Sequence, residues 1–130
     1  MKRAFLCHSS KDKEYVRFVA KRLRRAHVTY DEFSFEAGQD FRDAIEKGLD
    51  ESVLFVFFAS RDSINSIYCK FEVDLAQLKR MEGGIENQLV IIIDPNVAYS
   101  DLPKWMRTAK ALLQTKPTQA VRDIEQRPYT

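Results

Sequence analysis

Seven consecutive apolar residues, Val53 to Ala59 (VLFVFFA), most constrain what this chain can fold into. The run has strand length and is rich in β-branched and aromatic side chains, so it reads as a strand buried on both faces. A strand with no solvated face needs helices above and below it. That is the arrangement of a parallel sheet built from alternating strands and helices. Leu89 to Ile93 (LVIII) is a second run of the same kind, closed by the turn signature Asp94-Pro95-Asn96.

The remaining segments fit around these two. Arg3 to Cys7 is a short strand, broken by the polar HSSKD, where Ser9 or Ser10 can cap a helix and Asp12 complements its dipole. Tyr15, Val16, Val19, Leu23 and Phe18 form that helix's apolar stripe. Lys11, Lys13, Arg17, Lys21, Arg22, Arg24 and Arg25 make the rest basic, as a solvated face or a docking surface for an acidic partner. His27 to Phe33 is a second strand, followed by an exposed loop holding Gly38, the first glycine. Phe41, Ala44, Ile45 and Leu49 recur at helical spacing. Ser60, Ser63 and Asn65 lead into a longer helix to Met81, stopped by Gly83-Gly84. A short helix through Lys104, Trp105 and Met106, an edge strand Ala111 to Leu113 and a last helix capped by Thr118 complete the chain. The pattern predicts an α/β, doubly wound five-stranded parallel sheet with helices on both faces, a single domain over residues 1–130.

A composition of 45% hydrophobic and 31% charged residues supports one packed core. The net charge of +2 is too small to argue for nucleic acid. There is no apolar stretch of about 18 residues to span a membrane, and the N-terminal apolar run is too short for a secretion signal; a cytoplasmic protein is expected. Cys7 and Cys69 then read as reduced thiols, and with His8 and His27 they lack the spacing of a metal site.

Within the helix Asn65 to Met81 the periodicity predicts a core-facing stripe of Ile64, Ile67, Phe71, Leu75 and Leu78. Glu72 then falls about 80° from its centre, at the boundary of core and solvent. Tyr68 lies one turn earlier on the same side, so a ring and a carboxylate can share one pocket wall. The plainer alternative is an amphipathic helix with a rim glutamate. A ligand of such a sheet binds beyond the strand ends where strand order reverses, here between the loops His8-Ser9-Ser10 and Ser60-Arg61-Asp62. The absence of any glycine before Gly38 excludes the G-x-G-x-x-G fingerprint after strand one, and no P-loop or G-x-S-x-G elbow exists. A phospho-acceptor site lacks its carboxylates, since His8-Ser9-Ser10 and Phe58-Ala59-Ser60 occupy the places.

Three segments in order, AFLCHSSKD, SFEAGQDFRDAIEKGLDES and SIYCKFE, resemble the Toll/interleukin receptor (TIR) domain family over nearly the whole chain. The resemblance implies a flavodoxin-like fold and two occupations. Some members are adhesion modules joined by TIR–TIR contacts; others, prokaryotic immune effectors among them, cleave or cyclise NAD through the glutamate of the last segment, matched here by Glu72. NAD is then substrate, with no further cofactor. Tyr68 stands where the family often has tryptophan, and is expected to wall the nicotinamide or ribose. His8, Ser9 and Ser66 are candidate hydrogen-bond partners of the ligand, Arg61 a candidate phosphate contact, and Cys69 a small packing residue. The loop Phe35 to Phe41 is expected to contact a neighbouring subunit, with Gly38 as its turn and Glu36 and Asp40 meeting basic residues. Partners would be other TIR domains, and a further domain outside this chain stays open. The alternatives are a non-catalytic scaffold, or a different nucleoside as substrate.

Overall fold

A computed structural model describes residues 3–23, 27–30 and 41–126. Five strands, β1 (Arg3–Cys7), β2 (His27–Tyr30), β3 (Ser52–Ala59), β4 (Asn87–Ile92) and β5 (Lys110–Leu113), form one sheet in the order β2-β1-β3-β4-β5. Every pairing is parallel. The order reverses between β1 and β3, where the sequence places the ligand crevice. Among the described residues five α-helices connect or flank them: α1 (Lys13–Arg22), α2 (Phe41–Asp50), α3 (Arg61–Ile64), α4 (Ile67–Met81) and α5 (Pro117–Glu125). The second strand was expected to reach Phe33; residues 31–33 lie outside the described residues, as do the loop positions Glu36, Gly38 and Asp40.

Strand β3 is buried on both sides, as its composition requires. Phe55, Phe57 and Ala59 join Phe5 and Cys7 of β1 under Ile45 and Leu49 of α2 and Cys69, Val73 and Ala76 of α4. Leu54, Val56 and Phe58 point the other way, joining Ala4 and Leu6 under Val16 and Val19 of α1 and Ala120 and Ile124 of α5. Across the central strand pair Phe5 and Phe55 stack with ring centroids 5.9 Å apart. Helix α2 is held against α4 by Lys79, whose ammonium lies 2.5 Å from Asp50 and 3.5 Å from Glu46.

Helix α4 does not bury the stripe that periodicity selects. Ile67 is 82% exposed and Leu78 50%, Phe71 and Leu75 are half-buried, and the sheet-facing residues are Cys69, Glu72, Val73 and Ala76. Two physical causes account for the difference. The chain breaks at Asn65, so Ile64 belongs to α3 and its spacing to Ile67 carries no helical phase. Hydrophobic periodicity also weighs large side chains most, whereas a helix lying on a sheet floored by Phe5, Phe55 and Phe57 needs small residues to approach. The last helix departs from expectation too: Lys116 occupies the cap position without a side-chain bond and Pro117 opens the first turn, so Thr118 is no cap. The stop after α4 is as read, with Gly83 at φ +88° and the amide of Gly84 returning to the carbonyl of Lys79 at 2.9 Å.

The two crevice loops are tied together. Ser60 and Ser63 form a reciprocal capping box at the start of α3, Ser60 Oγ accepting from Ser63 N at 3.0 Å and Ser63 Oγ from Ser60 N at 2.8 Å. The Ser60 hydroxyl also donates to Asp12 Oδ2 at 2.5 Å, joining the β3 loop to the β1 loop. Partial burial raises the Asp12 carboxyl above its ordinary value, with the Ser60 bond opposing the shift.

Two outcomes test this packing. Phe55→Ala is expected to lower the unfolding free energy in urea by about 3–5 kcal/mol, while Ile67→Ala changes it by no more than about 0.5 kcal/mol; a core-sized loss at Ile67 would restore the stripe. The second concerns pH. Because the folded state holds the Asp12 proton more tightly than the unfolded chain, the associated stability is present below the unfolded value of about 3.9 and is lost as pH rises through the raised folded value. The urea midpoint of Asp12→Asn should therefore gain on that of the native chain as pH goes from about 4 to 7, and parallel pH profiles would contradict it.

Candidate functional site

Strand alternation decides which residues of the first loop face which wall. Cys7 shares the side of Phe5 and looks toward α4, while His8, next along the chain, turns to the α1 side. Helix α4 packs over β1 and presents Cys69 and Glu72 to it. Glu72 is 1% exposed, with its Oε2 shut off from solvent. Burial pushes the Cys7 thiol well up from its ordinary value, and the nearby Cys69 and Glu72 push the same way. A negative carboxylate buried at the end of a sheet interacts strongly with any positive charge brought to it, because little water intervenes.

The other expected residues divide between the two walls. Tyr68 opens α4 one turn before Glu72 and is 56% exposed, so it stands at the solvent edge of that helix. Ser66 and Ser9 serve as caps: Ser66 Oγ accepts from the Cys69 amide at 3.2 Å, and Ser9 Oγ from Lys11 N at 3.2 Å. His8 is buried with Nδ1 3.1 Å from the Leu6 carbonyl, which requires a proton on that nitrogen. Arg61 points along the β4 turn, its guanidinium donating to the Asn96 carbonyl at 2.9 Å and its amide to Asp94 Oδ2 at 3.3 Å. Hydrogen bonds from the Asn96 and Arg61 amides hold the Asp94 carboxyl below its usual range.

Among the described residues, two cavities flank this arrangement. One of about 350 Å³ opens at the strand ends on the α1 side and is lined by Lys11, Asp12, Tyr15, Ser60, Asp62 and Asp94. It is acid-rich, and its one lysine lies 3.5 Å from Asp62, so it does not suit a phosphate. The other, about 230 Å³, lies on the α4 side, with Phe57, Ile64, Cys69, Val73 and Leu102 as an apolar wall and the Lys70–Asp74 pair on its rim. Glu72 lines neither. Among the described residues no three His, Cys, Asp or Glu side chains gather as metal ligands, and no helix is long and apolar enough to cross a membrane.

The structure thus buries Glu72 and Cys69 on the sheet side of α4, leaves Tyr68 at the exposed edge of that helix, and turns Arg61 to the β4 loop. Period-two alternation from Phe5 puts Cys7 on the α4 side of the sheet, in the same core cluster as Cys69.

Comparison with known proteins agrees with the fold and with the segments that carry the resemblance. A family model described as TIR domain matches residues 4–124. Two curated relatives share 34% identity over 82 residues, 61% of this chain: a 2' cyclic ADP-D-ribose synthase, AbTIR, from Acinetobacter baumannii, and an NAD(+) hydrolase, TcpA, from Theionarchaea archaeon. The matched stretch spans 30% of the first and 25% of the second, less than a third of either protein. Among solved structures, a metazoan TIR-STING receptor from C. gigas superposes with TM-score 0.70 at 20% identity, over 95% of this chain and 38% of that one. The TIR domain of the Toll-related receptor TRR-2 from Hydra magnipapillata gives 0.66 at 14% identity, over 93% and 89%. With a family match from the first strand to the last helix and the β2-β1-β3-β4-β5 sheet of such folds, this chain belongs to the TIR domain family.

Proposed function

We propose that this TIR domain cleaves the bond between nicotinamide and ribose in NAD, with Glu72 as the catalytic carboxylate. One observation carries the reading: in the segment SIYCKFE the glutamate is buried on the sheet side of α4, beside the end of β1, where a rim glutamate would be solvated. The names of the two curated relatives point to the same bond. Nicotinamide leaves with the bonding electron pair and becomes neutral, so its departure needs no proton. The positive charge then develops on the ribose, and a desolvated carboxylate stabilises it. Tyr68, at the exposed edge of the same helix, offers its ring to the nicotinamide or ribose. Water, or a hydroxyl of the ADP-ribose itself, completes the reaction. On this reading the chain works in the cytoplasm as a single domain of an immune-type or defence protein and gains activity on self-association.

A second reading, a scaffold acting through TIR–TIR contacts, draws on a different observation. The outer face of α4 carries Ile67, Leu78 and Met81, all at least half exposed, as a run of apolar side chains toward solvent. The two readings are compatible if assembly activates cleavage.

Incubating the concentrated protein with NAD and following nicotinamide release separates them. Glu72→Gln is expected to reduce release by on the order of a hundredfold or more while leaving the urea midpoint near or above the native one, because the amide carries no buried charge. Equal release by both chains would remove Glu72 from the chemistry. If neither releases nicotinamide and Ile67→Asp with Leu78→Asp abolishes self-association, the scaffold reading takes its place.

A further inference from the structure

We propose that the cavity between α4 and residues 101–103 binds a small arylalkylammonium ion, one aromatic ring with a protonated amine on a short chain, at a site separate from Glu72. Placement comes first. Helix α4 turns by about 100° per residue, so Val73 and Lys70 lie about 100° and about 160° round from Glu72 in one sense and Tyr68 about 40° in the other. The cavity takes the first flank: Lys70, Val73 and Asp74 face Leu102 across it, with Phe57 of β3 among its walls. It therefore lies on the side of the helix turned away from Tyr68, and Glu72 does not line it. The site stands or falls independently of the role given to Glu72.

Size, polarity and charge select the occupant. A volume of about 230 Å³ holds one ring with a short substituent, since an apolar cavity of about 150 Å³ already takes benzene. Polarity is set by the walls. Phe57, Ile64, Val73 and Leu102 supply apolar surface. The one hydroxyl among the lining residues, that of Ser63, is committed within the chain, donating to the Phe58 carbonyl at 2.8 Å and accepting from the Ser60 amide at 2.8 Å. A buried end that needs hydrogen bonds would go unsatisfied there, which favours a hydrocarbon ring. Charge is set by the rim, where Asp74 and Asp101 stand against the single ammonium of Lys70. Lys70 and Asp74 form an i,i+4 pair 3.6 Å apart with both side chains mostly exposed, and such a pair is worth little in water. A ligand ammonium held over the apolar walls displaces Lys70 from Asp74 at small cost. Asp101, whose Oδ2 is fixed by the Ala98 amide at 2.9 Å, adds to the negative potential, and an anionic head is disfavoured by both carboxylates.

Benzylamine is the probe and Cys69, which lines the cavity, is the reporter. Methyl methanethiosulfonate is expected to modify Cys69 of the native chain, read by mass spectrometry of the peptide that carries it. Saturating benzylamine should slow that reaction about tenfold without slowing the reaction of free glutathione, with a half-maximal effect on the order of 1 mM for a ligand of this size. Benzyl alcohol, the same ring without the charge, should protect at about three- to fivefold higher concentration, and Asp74→Asn should bring the amine to the alcohol's value. In ligand-observed saturation-transfer NMR, the benzylamine signal seen with the native chain should vanish in Ile64→Trp, where a larger side chain fills the cavity. A Cys69 that does not react, or that reacts at one rate with and without benzylamine, overturns the site. A benzylamine signal that survives Ile64→Trp places the binding elsewhere and does the same. Equal protection by the amine and the alcohol overturns the ammonium class.

Discussion

The double-sided burial of β3 governs this molecule. A strand with aromatic or aliphatic side chains on both faces stays in solution only if each face is roofed, and the roofs are α1 with α5 on one side and α2 with α4 on the other. Parallel crossovers follow from that need, and the reversal of strand order between β1 and β3 follows from crossovers going to opposite faces. The crevice at the strand ends is therefore a by-product of covering a hydrophobic strand, and the residues that line it are those the chain must use to turn from strand to helix.

Those turning residues carry two duties at once, which limits how they can be read from sequence. Ser9, Ser60, Ser63 and Ser66 are all of a type that binds ligands, yet each satisfies backbone amides at a helix start, and Ser60 adds the bond to Asp12. A polar loop at a topological switch point thus looks like a binding site whether or not it is one. The strands, their order and the two helical layers were legible, because alternation and apolar runs report burial directly. The facing of α4 was not. Its large apolar residues, Ile67 and Leu78, lie outward, and its inner face is marked by Cys69 and Ala76, which a hydrophobicity count barely registers. The stripe placed Glu72 at the rim, and the structure moves it to the core side.

The two walls of the crevice differ in electrostatic character, and the difference bears on how the proposed substrate would lie. On the α1 wall Asp12, Asp62 and Asp94 surround the cavity, and the cations nearby are already engaged: Lys11 with Asp62, and Arg61 with the Asn96 carbonyl and the Asp94 loop. An anionic pyrophosphate gains little there. On the α4 wall there is one buried carboxylate among thiols and apolar side chains, with a tyrosine at the edge. Under the proposed function, that is the wall that would receive the positively charged nicotinamide ribose end.

Burying Glu72 has a structural consequence of its own. A helix that presents a carboxylate to a sheet forgoes a large apolar anchor at that position, and the loss is greatest when the neighbours are small, as Cys69 and Ala76 are. Compensation comes from elsewhere on the same helix: Val73 packs beside Cys69, Ser66 caps the first turn, and Lys79 pins the last turn to α2 through Asp50 and Glu46. The helix is fastened at both ends so that its middle can hold a group the core would otherwise reject. That division sets anchors at the termini and a buried polar group between them, where a helix packed only for apolar burial would carry leucine.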